Sequence, residues 1–141
     1  MISKKSKIIK NISRNKDKRG YILSIVDDNI SNVSIISCNK GSIRSNHYHL
    51  KDFHYMFVLE GEIDYFFKDL KTDKIKYLKI KKGENIFTPP KEIHATHFPK
   101  KTKLIVSSLN PRNKSTYEKD TRRVSFVDKK NIKNLLKIYS R

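Results

Sequence analysis

Gly41-Ser42-Ile43-Arg44-Ser45-Asn46-His47-Tyr48-His49-Leu50-Lys51-Asp52-Phe53-His54-Tyr55-Met56-Phe57-Val58-Leu59-Glu60-Gly61 is the stretch that decides the fold. It carries three of the chain's five histidines, His47, His49 and His54. Side chains alternate along a strand, so His47 and His49 face the same way, about 7 Å apart. Leu50 to Phe53 lets the chain turn back, which predicts His54 on a neighbouring antiparallel strand facing the same space. Three imidazoles aimed into one interior are suited to holding a metal ion or to moving protons.

Outward from this stretch the chain reads as short strands separated by turns. Tyr21 to Val26, Asn32 to Cys38, Ile43 to His49 and His54 to Glu60 all read as strands. So do Glu62 to Lys68, Lys74 to Ile80, Ile86 to Thr88, His94 to Phe98 and Leu104 to Leu109. Asp27-Asp28-Asn29, Asn39-Lys40-Gly41, Thr72-Asp73 and Lys82-Gly83-Glu84-Asn85 supply turns, and Pro89-Pro90 must lie at a rim. Eight or nine strands without an intervening helix predict an all-β antiparallel sandwich or jelly-roll barrel in one domain. The barrel is expected over residues 20–110, between a basic arm at 1–19 and a basic extension at 111–141. The arm holds Ile8, Ile9 and Ile12 among lysines, as an edge strand or a segment that pairs with a partner subunit. In the extension, Val124 and Phe126 stand as apolar anchors. Asp128 is placed as a helix N-cap, and Ile132, Leu135, Leu136 and Tyr139 recur at helical spacing after it. A short amphipathic C-terminal helix follows, packed on the barrel or on a second subunit.

The 141 residues carry a net charge of +18, a value that invites a nucleic-acid reading. The distribution argues against it. Residues 1–19 contribute +7, residues 111–141 contribute +7, and residues 20–110 only +4. The arm at 1–19 has no aromatic residue to stack bases, and in the extension Phe126 and Tyr139 read as apolar anchors. The charge reads first as that of solvated arms in a Lys/Asn/Ile-rich chain, with attraction of phosphorylated ligands as the functional alternative. No apolar run reaches membrane-spanning length, and the Lys-rich start lacks the apolar core of a signal peptide, so a cytoplasmic location is expected. The single cysteine, Cys38, fits a reducing compartment and reads as a buried, inert thiol.

The residue spacing Gly41, His47-Tyr48-His49, His54, Gly61 resembles the first motif of the cupin family, which places a glutamate where this chain has His54. Gly83, Pro89 and His94 resemble the second motif. Its later glycine falls on Lys91 and its terminal asparagine on Phe98. The resemblance implies a small β-barrel, a double-stranded β-helix, with a site at His47, His49, His54 and His94. Lys18-Arg19-Gly20 and Arg44-Ser45-Asn46-His47 narrow it to the sugar-nucleotide cupins, the 3,5-epimerases and 3,4-ketoisomerases of dTDP-4-keto-sugars in polysaccharide biosynthesis. In that resemblance Arg44 is the phosphate-binding arginine, Ser45 stands at a family glycine, and His47 and His49 are catalytic.

The chemistry is coherent with these residues. Removing a proton beside a carbonyl suits an imidazole, and Arg44 is the only arginine between Arg19 and Arg112, where a fork suits a phosphate. Four neutral imidazoles would instead hold a divalent ion (Zn, Fe, Mn or Ni) as a strong Lewis acid. A histidine that ligates is a poor base, so the two roles of His47 exclude each other. His97 reads as a rim or surface residue. The expected function is therefore a nucleotide-sugar epimerase or ketoisomerase, with a metal-dependent dioxygenase or a non-catalytic ligand-binding cupin as alternatives. A nucleotide-sugar substrate and a homodimer are the expected partners.

Overall fold

A computed structural model of the chain describes residues 3–10 and 13–140. Ile12 lies outside the described residues. The strands are β1 (Lys7–Ile9), β2 (Ser13–Asp17), β3 (Gly20–Ser24), β4 (Asn32–Cys38), β5 (Ile43–His49), β6 (His54–Glu60) and β7 (Glu62–Asp69). They continue with β8 (Lys76–Lys81), β9 (Asn85–Thr88), β10 (Glu92–His97), β11 (Thr102–Ser108) and β12 (Thr121–Arg123). Two helices, α1 (Lys114–Asp120) and α2 (Ile132–Tyr139), lie in the last third.

Alternation within these strands builds two five-stranded antiparallel sheets that face each other. One runs β1-β9-β6-β11-β4 and the other β12-β5-β10-β7-β8, with β2-β3 as a separate hairpin. Met56, Val58, Leu104 and Val106 point inward from the first sheet; Ile63, Tyr65, Phe67 and Ile80 meet them from the second. This is the jelly-roll architecture that the strand pattern predicts. Cys38 joins that core at 2% exposure, and burial pushes its thiol pKa up against the opposing pull of the nearby Arg44 guanidinium.

The path from His49 to His54 differs from the expected hairpin. β5 and β6 belong to different sheets, so Leu50 to Phe53 carries the chain across the sandwich. A four-residue link can close a hairpin or bridge two facing sheets, and residue type does not separate the two. The consequence favours the site. His54 meets His47 and His49 from the opposing wall instead of from a strand beside them.

The segment after Asn110 belongs to the barrel wall. β12 extends the second sheet by pairing with β5, setting Thr121 against His49 and Arg123 against His47. The C-terminal helix forms where its apolar spacing predicts. Its N-cap is Asn131 rather than Asp128, and the Asp128 carboxylate accepts from the Lys130 and Asn131 amides in the turn before it. Ile132 and Leu135 of α2 pack on Phe66, Ala95 and Val127, covering the outer face of the second sheet. No helix among the described residues is long and apolar enough to cross a membrane.

Two positions where the family pattern has glycine keep the left-handed backbone without it. Ser45 sits at φ 72 and Lys91 at φ 60. A side chain in that region costs about 1–2 kcal/mol, so the sequence departs at these positions while the backbone shape does not.

Candidate functional site

The site is assembled by one strand pair. β10 lies antiparallel to β5 with His94 directly opposite His47, and the register slips by one residue just beyond, next to the left-handed pair Ser45-Asn46. That bulge turns Asn46 outward. Its side-chain carbonyl accepts from the amides of Phe126 and Val127 at 3.0 Å each, and its amide donates to the Val127 carbonyl at 2.9 Å. The C-terminal segment is thereby tied to the strand that carries the histidines.

All four predicted histidines come together. Ring centroids are 4.6 Å apart for His47 and His49, 4.8 Å for His47 and His94, and 4.7 Å for His49 and His54. Ring nitrogens of His47, His49 and His94 all lie within 4.8 Å of one another. His54 stands outside that group, with Nε2 2.9 Å from Asp52 Oδ2. His97 does not reach the site. Its Nδ1 donates to Asp64 on the outer face of the sheet, 2.8 Å away.

Neighbouring groups fix the imidazole tautomers. The Thr121 hydroxyl donates to the Tyr117 carbonyl at 2.6 Å, so toward His49 Nδ1, 3.2 Å away, it can only accept. His49 therefore carries its proton on Nδ1, and its Nε2 keeps a lone pair. His94 Nδ1 donates to the Glu92 carbonyl at 3.2 Å, which frees its Nε2 likewise. Nδ1 of His47 and Nε2 of His49 are buried and find no partner among the described residues.

Electrostatics keep these rings uncharged. Burial, followed by the fields of the other histidines, lowers the pKa of His47 to about 2. Burial and then His54 and His94 lower that of His49 to about 3. His94 falls to about 4, chiefly through burial. Each ring therefore rests uncharged at neutral pH, and none is a resting acid.

A cavity of about 80 Å³ opens between the sheets, lined among others by His47, His94, His54, Arg44, Arg112 and Tyr117. His49 is one ring deeper, at 1% exposure. Arg44 and Arg112 are exposed, and no ion pair among the described residues includes either.

Sequence reading found the histidines and Arg44 but missed Asp52, Arg112, Tyr117, Asp120 and Thr121. Tyr117 sits on α1 with its ring 5.6 Å from His49 and 6.2 Å from His47. Burial raises its pKa against the pull of Arg112 and Arg123, so the phenol keeps its proton. One signal was available. Asn113 caps α1 by accepting from the Thr116 amide at 2.9 Å, and an asparagine is a standard helix start. Asp120 carried no such signal. It accepts from the amides of Lys51 and Asp52 at 3.0 Å each and lies 3.8 Å from His49 Nδ1.

Residues 15–121 match the family described as Polysaccharide biosynthesis C-terminal domain. No curated protein sequence matches the chain significantly. Among solved structures it is similar to the sugar 3,4-ketoisomerase QdtA of Thermoanaerobacterium thermosaccharolyticum in complex with TDP. The TM-score there is 0.69 and the identity 19%, over 86% of this chain and 90% of that one. A variant of QdtA in complex with TDP-4-keto-6-deoxyglucose gives 0.68 and 18%, over 86% and 89%. The dTDP-4-dehydrorhamnose 3,5-epimerase of Sulfolobus tokodaii gives 0.65 and 16%, over 87% and 85%. These likenesses show that the chain shares the fold of those structures.

The depressed histidines predict how stability depends on pH. An unfolded histidine binds its proton near pH 6.5, whereas the folded rings do so only near 4, 3 and 2. Below 6.5 the unfolded chain therefore binds more protons. The contribution is whole above pH 6.5 and is lost as pH falls toward 4, by about 1.4 kcal/mol per pH unit for each such ring. Chemical unfolding measured from pH 8 to 4.5 should give a plateau above 7 and a steep fall below 6. His47→Gln should reduce that slope by about one proton; an unchanged slope would show that the ring titrates normally.

Proposed function

This chain belongs to the polysaccharide biosynthesis C-terminal domain family, and on that premise we propose that it is a nucleotide-sugar isomerase. It would act as an epimerase or ketoisomerase, moving a proton next to a keto group. The observation that carries the reading is a cavity whose inner end holds uncharged imidazoles and whose lining also includes two exposed arginines that join no ion pair among the described residues. A base beside a carbonyl and a fork for a diphosphate are the two things this substrate class requires.

In this reading His47 takes the proton, because it lines the cavity and its ring is neutral at working pH. His49 packs behind it and fixes its orientation. Tyr117 keeps its phenolic proton and would donate a hydrogen bond to the developing enolate oxygen. Arg44 and Arg112 would take the pyrophosphate. The cavity is well below the roughly 300 Å³ of a usual ligand pocket, so it suits the sugar ring alone, with the nucleotide outside.

A second reading has its own observation, the unpartnered Nδ1 of His47 and Nε2 of His49. One ring nitrogen each from His47, His49 and His94 lies within 4.8 Å of the others, a group that could surround one divalent ion, Zn, Fe, Mn or Ni. When bound, that ion would supply Lewis acidity, as a metal-dependent oxygenase or a ligand-binding cupin requires. His54, expected as a fourth ligand, lies outside the group within 4.8 Å, and its Nδ1 is the nitrogen that could join the ion, with Asp52 backing Nε2.

The homodimer is also part of this proposal. β4 is an edge strand, and its Val33 and Ile35 are exposed by 64% and 70%. The β2-β3 hairpin exposes Tyr21 and Ile22 by 61% and 71%. A lone two-stranded hairpin is marginal in water, and an uncovered apolar edge invites pairing.

Three measurements test these statements. Incubated with TDP-4-keto-6-deoxyglucose in heavy water, the protein should place deuterium beside the carbonyl, and His47→Gln should slow this by about 10²–10⁴-fold. Absence of exchange with this and related keto-sugars would remove the isomerase reading. Elemental analysis before and after chelation decides the second reading, which requires an equimolar ion and a lower melting temperature once it is stripped. Light scattering should give twice the 16.6 kDa chain mass; a monomer refutes the dimer.

A further inference from the structure

We infer that Ser6, in the basic arm just ahead of β1, is a positioning residue for the site: it sets the ring of His94 and, through that ring, the place of His47. The kinetic side of this inference rests on the isomerase reading above; the structural side does not.

Ser6 stands among Lys4, Lys5 and Lys7, yet it is only 6% exposed. A polar chain end stays loose unless something ties it down. Ser6 is such a tie. Its amide donates to Glu92 Oε1 at 3.0 Å, and its hydroxyl donates to the same oxygen. With its proton committed to Glu92, the Ser6 hydroxyl can only accept from the Tyr65 hydroxyl, 2.7 Å away. Tyr65 in turn accepts from the Thr88 hydroxyl at 2.8 Å. Donation therefore runs one way, from Thr88 to Tyr65 to Ser6 to Glu92. Thr88 lies on β9 of the first sheet, whereas Tyr65 and Glu92 lie on β7 and β10 of the second. Ser6 thus joins the two walls of the sandwich.

Two members of that run meet His94. The Tyr65 ring, at 0% exposure, lies 6.1 Å from it with 9° between planes, an offset stack. Glu92, whose carboxylate Ser6 holds, presents its backbone carbonyl to His94 Nδ1 at 3.2 Å. The first contact fixes the plane of the imidazole and the second its tautomer. His94 in turn stands edge-on to His47, at 4.8 Å and 86°. A tilt of His94 therefore moves the wall against which His47 is set. Ile8 anchors the same arm, but its side chain does so by apolar packing on the core. Holding the arm and holding the ring are separable.

The test uses the full chain at neutral pH. NMR follows the histidine ring nitrogens, and deuterium incorporation into TDP-4-keto-6-deoxyglucose is measured alongside. In the unmodified protein His94 should show one tautomer, with its proton on Nδ1. Ser6→Ala should shift the His94 signals and admit the second tautomer. It should also lower kcat by about 10- to 10²-fold while KM stays within about threefold. Ser6→Thr, which keeps the hydroxyl, should restore both. Tyr65→Phe keeps the ring but removes the hydroxyl that donates to Ser6, so it should shift His94 in the same way. It carries the test if Ser6→Ala does not fold. Ile8→Ala should lower the melting temperature and leave the His94 signals in place. Unchanged His94 signals in the folded Ser6→Ala or Tyr65→Phe protein overturn the inference. So does an equal change in Ile8→Ala, which would make Ser6 an anchor of the arm and nothing more. If the unmodified protein incorporates no deuterium, the isomerase reading falls, and the His94 signals alone decide for or against Ser6.

Discussion

Setting His47 opposite His94 on paired strands places two imidazoles 4.8 Å apart inside a sandwich where water is scarce. Neither ring can be charged beside the other at low cost, and His49 and His54 add further rings to the same space. Much of the surrounding structure meets the demands of that cluster. Carbonyls and hydroxyls near the rings dictate tautomers, so that lone pairs are left where a substrate or an ion would meet them. The Tyr65 ring, fully buried, stacks on His94 with 9° between planes and hands its hydroxyl to Ser6 and Thr88. Ser6 also hydrogen-bonds the Glu92 carboxylate, so a residue of the basic arm closes the floor under the histidines.

Two buried acids do the corresponding work at the other end. Asp120 ends α1 and grips the backbone of Lys51 and Asp52, in the link that crosses from one sheet to the other. Asp52 grips Asn110 and His54. Asp120 is satisfied by backbone amides, and Asp52 by one amide and His54, which explains how carboxylates persist at 9% and 4% exposure with no lysine or arginine partner among the described residues. The segment after Asn110 therefore shapes the site as much as the strands do, because α1 brings Tyr117 and β12 brings Thr121 against His49.

The legible parts were those encoded by local period. His47, His49, His54 and His94 stand at strand spacing, and β4, β5 and β6 begin and end where alternation and turn residues place them. What stayed hidden depends on distant pairing. α1 has seven residues, Lys-Ser-Thr-Tyr-Glu-Lys-Asp, with no apolar stripe. β12 is Thr-Arg-Arg, a strand only because β5 offers an unpaired edge. Asp120 meets Lys51 across 69 positions, a separation at which no residue pattern reports contact. Ser45 and Lys91 look like broken glycine positions in sequence, yet both hold positive φ. The surrounding pairing imposes the backbone shape that glycine would adopt freely.

One set of lone pairs serves two chemistries that cannot coexist. A divalent ion at His47, His49 and His94 would occupy the nitrogens that a proton-transfer mechanism needs empty. His54 stands apart from that group, with its Nε2 held by Asp52 while its ring lines the same cavity. A glutamate at this position, the residue of the cupin pattern, would bring a negative charge to an ion and lower its Lewis acidity. A histidine backed by a carboxylate keeps a similar charge balance but moves the anion one ring further from the cavity and puts an imidazole in front. The residue at the cupin glutamate position is thus part of a carboxylate–histidine pair, the arrangement that orients an imidazole whichever of the two chemistries the site performs.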